Sequence, residues 1–370
     1  MIEPEPLQQI ARTYVRFHGR KLSYFSGCDY YRLASHPEVL AALQIAVRRY
    51  GLNVAASRLT TGNHVLYAEL EARLAGFFQA ESALLISSGY MTNLAAAQAL
   101  GGNFSHALID EESHPSLRDA ARFLDCPVLQ FRHLDPTDLA ASVRRCGPEA
   151  RLILLTDGMF SHDGAAAPLA AYLEVLPPDA MMLVDDAHGA GVLGENGRGT
   201  LEYAKIGSDR IIQTITLSKA FGTFGGAVLC TRAFRERIIS HSPMFVGSTP
   251  PPLPVVYAAL RAVRILTSGK RLLWRLRENL AYVKGLLRKT DVTLPEAPSP
   301  IIAVVPDREA VSARMRTMLL DQGIYPPFIR YPGGPPNGYF RFVISSEHTR
   351  PQLDALSRVL TKVGGCSGRR

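Results

Sequence analysis

The chain is poor in cysteine, and Cys28, Cys126, Cys146, Cys230 and Cys366 are odd in number, widely spaced and without a C-x-x-C pair. Neither a disulfide framework nor a zinc site is indicated, and a reducing compartment fits. No apolar run approaches the length of a membrane span. The opening MIEPEPLQQI has neither the basic start nor the apolar stretch of a secretion signal, so a cytoplasmic location is expected. There is no internal repeat. Basic residues outnumber acidic ones by 41 to 33, a formal net charge of +8, but they are spread along the chain and never massed in one block. That argues against nucleic-acid binding and leaves a milder reading, an anionic substrate or partner: a phosphate-bearing cofactor, a coenzyme A ester or an acidic carrier protein.

What the chain does have is length and apolar content. With 370 residues, 47% of them hydrophobic, it can bury a large core and form one big domain plus a smaller one. Short β-rich apolar runs recur between helix-like segments: ALLIS (83–87), HALID (106–110), RLILLT (151–156), MMLVDD (181–186), RIIQTIT (210–216) and GAVLC (226–230). Nearly continuous apolar strands separated by helices predict an α/β domain with a mostly parallel sheet covered on both faces. Polar residues gather where these strands end: Asp157, the pair Asp185 and Asp186, and Lys219. Strand ends are where such sheets place their working groups.

From about residue 233 the pattern changes. The segment 269–289 carries Leu272, Leu273, Leu276, Leu280, Val283 and Leu287 at helical spacing, with a basic face read as solvated. After the Pro-rich break LPEAPSP (294–300) come a strand IIAVV, a helix near 308–321, a Pro/Gly-rich loop, a strand YFRFVIS and a last helix over 350–362. The tail GGCSGRR is expected to fray. These pieces suit a small α+β domain.

The stretch TLSKAFGTFGGA (216–227) sets Lys219 directly after a strand and before a glycine-rich loop. Most lysines are solvated surface charges. One held at a strand end and perturbed by its neighbours loses its proton readily and becomes a Schiff-base nucleophile, the usual tether for pyridoxal phosphate. The stretch VDDAHGAGVLGENGRG (184–199) adds an aspartate and a histidine three residues apart. A carboxylate facing the pyridine nitrogen of that cofactor keeps it protonated, and a neutral imidazole can hydrogen-bond the phenolic oxygen. Alone, this stretch also reads as a turn that uses Asp and Gly for backbone reasons.

Five segments occur together in order: SSGYMTNLAA (87–96), DEESHPSLRDAAR (110–122), TDGMFSHDGAAAPL (156–169), VDDAHGAGVLGENGRG and TLSKAFGTFGGAVL. In sequence and spacing the chain resembles the α-oxoamine synthases from about residue 20 to 362. The resemblance implies fold-type I of the pyridoxal-phosphate enzymes, an aspartate aminotransferase-like transferase. An N-terminal segment (1–48) would pack on the small domain, beside a large cofactor-binding α/β domain (49–265) and a small α+β C-terminal domain (266–370). Lys219 would tether pyridoxal 5′-phosphate and later move protons at the substrate α-carbon. Asp185 would pair with the pyridine nitrogen, His188 and Ser161 would bond the phenolic oxygen, and His114 would stack on the ring. The backbone N–H groups of Gly89 and Tyr90 and the Thr216 hydroxyl would cradle the phosphate. Ser248 and Thr249 of GSTPPP would serve the neighbouring subunit's cofactor in a homodimer with active sites at its interface. Arg341 would hold the amino acid's carboxylate.

The chain departs from the family pattern in SGCDYYRL (26–33), where Cys28 stands in place of an asparagine that helps bind substrate and is followed by Tyr31 and Arg32. Arg32 could supply the lost interaction as a full charge. His162 replaces a usual methionine beside Ser161, which adds a proton carrier. The reaction implied is a decarboxylative condensation of an amino acid with an acyl thioester, carried by coenzyme A or a carrier protein, to give an α-amino ketone. Aldol-type cleavage, transamination and a partner-binding homologue without activity are alternatives for the same set of residues. Asp186 is the alternative to Asp185 at the ring nitrogen.

Overall fold

The apolar runs form the expected parallel sheet, and a hairpin region before them adds three strands that their sequence did not announce. A computed structural model describes residues 5–364 apart from 291 and 331–334. The tail beyond 364, expected to fray, lies outside the described residues. The chain divides into two units, the larger of His36–Ser161 and Ala166–Lys270, the smaller of Met1–Ser35, His162–Ala165 and Arg271–Arg370.

The smaller unit starts with three antiparallel strands, β1 (Gln8–Ala11), β2 (Tyr14–Phe17) and β3 (Arg20–Ser23). The larger unit follows with β4 (Ser82–Ile86), β5 (His106–Asp110), β6 (Val128–Phe131), β7 (Leu152–Asp157), β8 (Met181–Asp185), β9 (Ile211–Thr216) and β10 (Gly226–Cys230), in the spatial order β4-β10-β9-β8-β7-β5-β6. Strand β10 runs antiparallel to both its neighbours, and the other pairings are parallel. Strand β6 escaped the sequence reading because two of its four side chains are exposed and it lacks the continuous apolar run of its neighbours.

Alternation along each strand fills both faces. Ile153 and Leu155 of β7 pack with Ile109, Leu183, Ile212 and Val228 on one side, while Leu152 and Leu154 pack with Leu108, Met182, Val184 and Ile211 on the other. Each fully buried side chain of this kind contributes about 1.5–3 kcal/mol. The helix Gly89–Leu100 lies against the sheet on buried Ala95, Ala96, Ala97 and Ala99, and Ser88 caps its start by accepting from the Met91 N–H. Two glycines allow its first turn to touch the strand ends. A Cβ on Gly89 would lie 2.6 Å from Thr216 Cβ, and one on Gly226 would lie 2.6 Å from Thr92 Cγ2 and 2.9 Å from Gly89 Cα.

In the smaller unit β11 (Ile301–Val304), β12 (Phe328–Ile329) and β13 (Tyr339–Val343) form a sheet in the order β11-β13-β12, with helices Arg271–Leu287, Glu309–Asp321 and Arg350–Gly364. Leu273, Leu276, Leu280, Val283 and Leu287 are the buried stripe of the first helix. The chain start joins the same unit through Ser23 N–H to Gly323 O at 2.7 Å and Val343 N–H to Phe25 O at 2.8 Å. Among the described residues, no helix is long and apolar enough to cross a membrane.

Candidate active site

Strands β7, β8 and β9 end side by side on Asp157, Asp185 and Thr216, so the carboxyl edge of the sheet presents two carboxylates and a hydroxyl in a row. A cavity of about 220 Å³ opens there, lined by Lys219, His188, His114 and these three residues, together with Gly89 and Tyr90 at the helix start. Of the residues expected at the site, the structure therefore brings Lys219, Asp185, His188, His114, Thr216, Gly89 and Tyr90 together. Lys219 is set by a tight reversal. Leu217 N–H bonds Gly225 O and Gly222 N–H bonds Lys219 O, each at 2.9 Å, with positive φ at Gly222 and Gly225.

Asp185 is 6% exposed. Its Oδ1 accepts from Ala187 N–H at 3.0 Å, and its Oδ2 accepts from Asn93 Nδ2 at 2.6 Å, with Ser116 Oγ 3.3 Å away. Asp186 faces elsewhere. Its oxygens accept from Thr200 N–H at 2.9 Å, Thr200 Oγ1 at 2.6 Å and Gln213 Nε2 at 2.7 Å. Burial pushes Asp186 up to about 7 even though these donors lower it. It folds the loop that follows β8. Asp185, not Asp186, is the carboxylate on the cavity wall.

His114 caps the helix Pro115–Ala121, with Ser116 N–H donating to its Nδ1 at 3.2 Å and Ser116 Oγ 2.7 Å from the same nitrogen. Nδ1 is thus the acceptor, and burial lowers the ring's pKa against the opposing pull of Asp185. The result is a neutral imidazole that carries its proton on Nε2. Asp157 accepts from the His114 N–H at 2.8 Å, and burial, reinforced by the Asp185 carboxylate, pushes it well above the ordinary carboxylate range. The N–H groups of Gly89 and Tyr90 lie in the first helical turn, where no helical carbonyl reaches them, so they are free to serve an anion. The Tyr90 hydroxyl is bonded to Asp119.

The other expected residues are not among those that line this cavity. Ser161 ends its segment of the larger unit and does not line the cavity. Ser248 Oγ donates to Met244 O, and Thr249 O accepts from Ser87 Oγ at 2.7 Å, in the stretch after the helix Pro243–Gly247. Arg341 and Cys28 belong to the smaller unit, where both act on Tyr30. That hydroxyl is fully buried and pushed well above its usual range by burial, with the Cys28 thiol hydrogen-bonded to it and the Arg341 charge opposing the shift. His162 lies in the same unit, 3.5 Å from Asp163.

Arg32 does not fulfil its expected part. It is 1% exposed, and its guanidinium donates to Tyr24 O at 2.9 Å and Ser26 O at 3.4 Å. It closes the turn it sits in, with φ at 54°, and presents no charge to a substrate.

Asn93 and Ser116 were missed. Both are buried, and Thr214 Oγ1 donates to Asn93 Oδ1 at 2.6 Å. The available signal was Thr92-Asn93, an adjacent polar pair inside the mostly apolar helix run GYMTNLAAAQAL.

A doubly covered sheet with a lysine, an aspartate and two histidines at its carboxyl edge agrees with the comparisons to known proteins. The model of the aminotransferase class I and II family matches residues 26–360, and the chain belongs to that family. Within it, the chain groups with the α-oxoamine synthases. It is 36% identical over 347 residues to an 8-amino-7-oxononanoate synthase of Thioalkalivibrio sulfidiphilus, across 93% of this chain and 88% of the relative. A solved Sphingomonas wittichii serine palmitoyltransferase superposes with a TM-score of 0.89 at 28% identity, covering 97% of this chain and 91% of that one. A lysine-to-alanine variant of a serine palmitoyltransferase from S. paucimobilis, with a bound PLP–myriocin aldimine, gives the same TM-score, identity and coverage.

Proposed function

We propose that this chain is a pyridoxal-phosphate-dependent C-acyltransferase that condenses an amino acid with an acyl thioester, releases carbon dioxide and leaves an α-amino ketone. One observation carries the reading: Lys219, Asp185, His188 and His114 converge on a single cavity at the carboxyl edge of a parallel sheet. The donor set suits pyridoxal 5′-phosphate, with an amine for its aldehyde, a carboxylate for its ring nitrogen, a flat neutral imidazole for its face and a helix start for its phosphate. The names of the relatives, 8-amino-7-oxononanoate synthase and serine palmitoyltransferase, support the same class.

When bound, the cofactor supplies an electron sink for charge that develops at the substrate's α-carbon. Lys219 would hold it through Nζ, and the same amine would serve as the base for the substrate's α-proton. Asp185 would face the ring nitrogen and favour its protonated form, while His188 and Ser161 would bond the phenolic oxygen. The neutral His114 covers the ring. Gly89 and Tyr90 N–H groups and the Thr216 hydroxyl bind the phosphate, favoured by the positive end of the helix. Ser248 and Thr249 complete the phosphate site of a second copy in a homodimer. Arg341 grips the amino acid's carboxylate through two parallel bonds and so selects which α-carbon bond breaks, with Cys28 in the same recognition set. The protein acts in the cytoplasm on this reading.

The test is a matrix of amino acids against acyl thioesters of coenzyme A and of carrier protein, with mass spectrometry for the amino ketone and for released carbon dioxide. One productive pair with stoichiometric carbon dioxide supports the proposal. Ketone without carbon dioxide, or amino-group transfer alone, replaces it with one of the sister reactions.

A further inference from the structure

Asn93 makes no contact with the cavity, yet its carboxamide has every bond needed to control two residues that do. It is fully buried in the helix Gly89–Leu100. Its Oδ1 accepts from Thr214 Oγ1 at 2.6 Å, which fixes which end of the amide points where. Both N–H bonds are then aimed at acceptors, one at Asp185 Oδ2 (2.6 Å) and one at Ser116 Oγ (2.9 Å). Ser116 in turn sits 2.7 Å from His114 Nδ1. A chain of hydrogen bonds therefore runs from β9 through the helix to the carboxylate on one side of the cavity and the imidazole on the other.

Resting on the reading that pyridoxal phosphate places its ring nitrogen at Asp185, we infer that Asn93 is a positioning residue, locked by Thr214, that holds Asp185 as an oriented anion and, through Ser116, fixes the tautomer of His114. A donor to Oδ2 favours the carboxylate over the carboxylic acid. Other titratable groups lie near Asp185: Asp157 beside it on β7, Asp186 next in the chain though turned away, and His114, His188 and Lys219 around the cavity. The substitutions below leave all five in place.

The experiment titrates apoprotein with pyridoxal 5′-phosphate across pH and reads the dissociation constant from the change in cofactor absorbance. The acid limb of the wild-type affinity profile is the reference. Asn93→Leu removes the donor at nearly constant volume. It is expected to weaken binding at neutral pH about tenfold or more, the scale of one hydrogen bond to a charged group, and to move the acid limb to higher pH. Thr214→Val leaves the amide but frees it to turn, and is expected to move the limb in the same direction by less. Ser116→Ala is expected to leave the limb nearly in place while changing the His114 imidazole nitrogen shifts in NMR. A merely structural role would lower affinity evenly at all pH values.

Unmoved acid limbs in both Asn93→Leu and Thr214→Val overturn the inference. If Asn93→Leu does not fold, the limb of Thr214→Val decides alone. Wild-type protein that binds no pyridoxal phosphate at all defeats the underlying reading instead, and the two failures are told apart in the first titration.

Discussion

The cavity of the larger unit and the segment 24–32 of the smaller unit are both rich in polar side chains, and they use them in opposite ways. Around Lys219, carboxylates and imidazoles converge on open volume, with Asp185 held by the buried Asn93 and His114 by Ser116. Along 24–32, polar groups are turned onto backbone. Arg32 donates to the Tyr24 and Ser26 carbonyls, and Asp29 accepts from the Leu33 and Ala34 N–H groups. The same contrast separates neighbours: Asp185 faces the cavity while Asp186 spends its oxygens on Thr200 and Gln213. A charge inside a motif marks chemistry only where its acceptor or donor capacity is left for a ligand.

Breaking the first kind of group should remove activity, and breaking the second kind should remove stability. The largest effect is expected for Lys219→Ala, which should abolish both turnover and the visible absorbance of cofactor-loaded protein. A variant that retains both would end the assignment of the site. Next, Asp185→Asn should keep the cofactor partly bound while turnover falls by about 10²-fold or more, the scale of a lost electrostatic partner. Unchanged steady-state kinetics would show that Asp185 has no such part.

Arg32→Met sharpens the contrast from the other side. It removes the guanidinium donors from the Tyr24 and Ser26 carbonyls, of which Tyr24 O keeps His348 Nε2 at 3.1 Å, and should cost about 1–3 kcal/mol in urea denaturation, with the ranking of amino-acid substrates unchanged. A changed ranking would return Arg32 to the substrate. Asp186→Asn should cost about 1–3 kcal/mol through mismatched hydrogen bonds, and the cost should depend on pH. The folded value of Asp186, about 7, lies above its unfolded value of about 3.9. The folded state therefore binds more protons between about pH 4 and 7, and wild-type stability falls as pH rises through that window. Asparagine lacks this slope, so the difference between the two proteins should be largest near pH 4 and shrink towards pH 7.5. A constant difference would contradict the raised value. The smallest effect is expected for Cys28→Asn. An amide both donates and accepts more strongly than a thiol, so amino-acid KM should move by about fivefold, or roughly 1 kcal/mol, with cofactor absorbance unaltered. No change in KM or ranking would make Cys28 a packed small apolar residue.

Much of the larger unit was legible because its buried parallel strands write themselves as apolar runs and end on the residues that line the cavity, as β7, β8 and β9 do. The backing residues were not. Asn93 sits on a helix rich in alanine, and a polar residue on a buried face carries no periodic signal of what it will meet on the sheet. The direction of Arg32 was hidden for a related reason, since a positive φ at a non-glycine residue turns the side chain inward without leaving a mark in the sequence. Strands β1 to β3 are short and largely exposed, so their alternation is too weak to read.

The central claim is that Lys219 at the end of β9 is the cofactor's tether. Reducing pyridoxal-phosphate-loaded protein with borohydride makes the lysine–cofactor bond permanent, and peptide mass spectrometry then finds where it lies. The expected result is a single pyridoxyl-modified lysine, Lys219, with loss of label in Lys219→Ala; label on another lysine, or none on protein that has bound the cofactor, would contradict it.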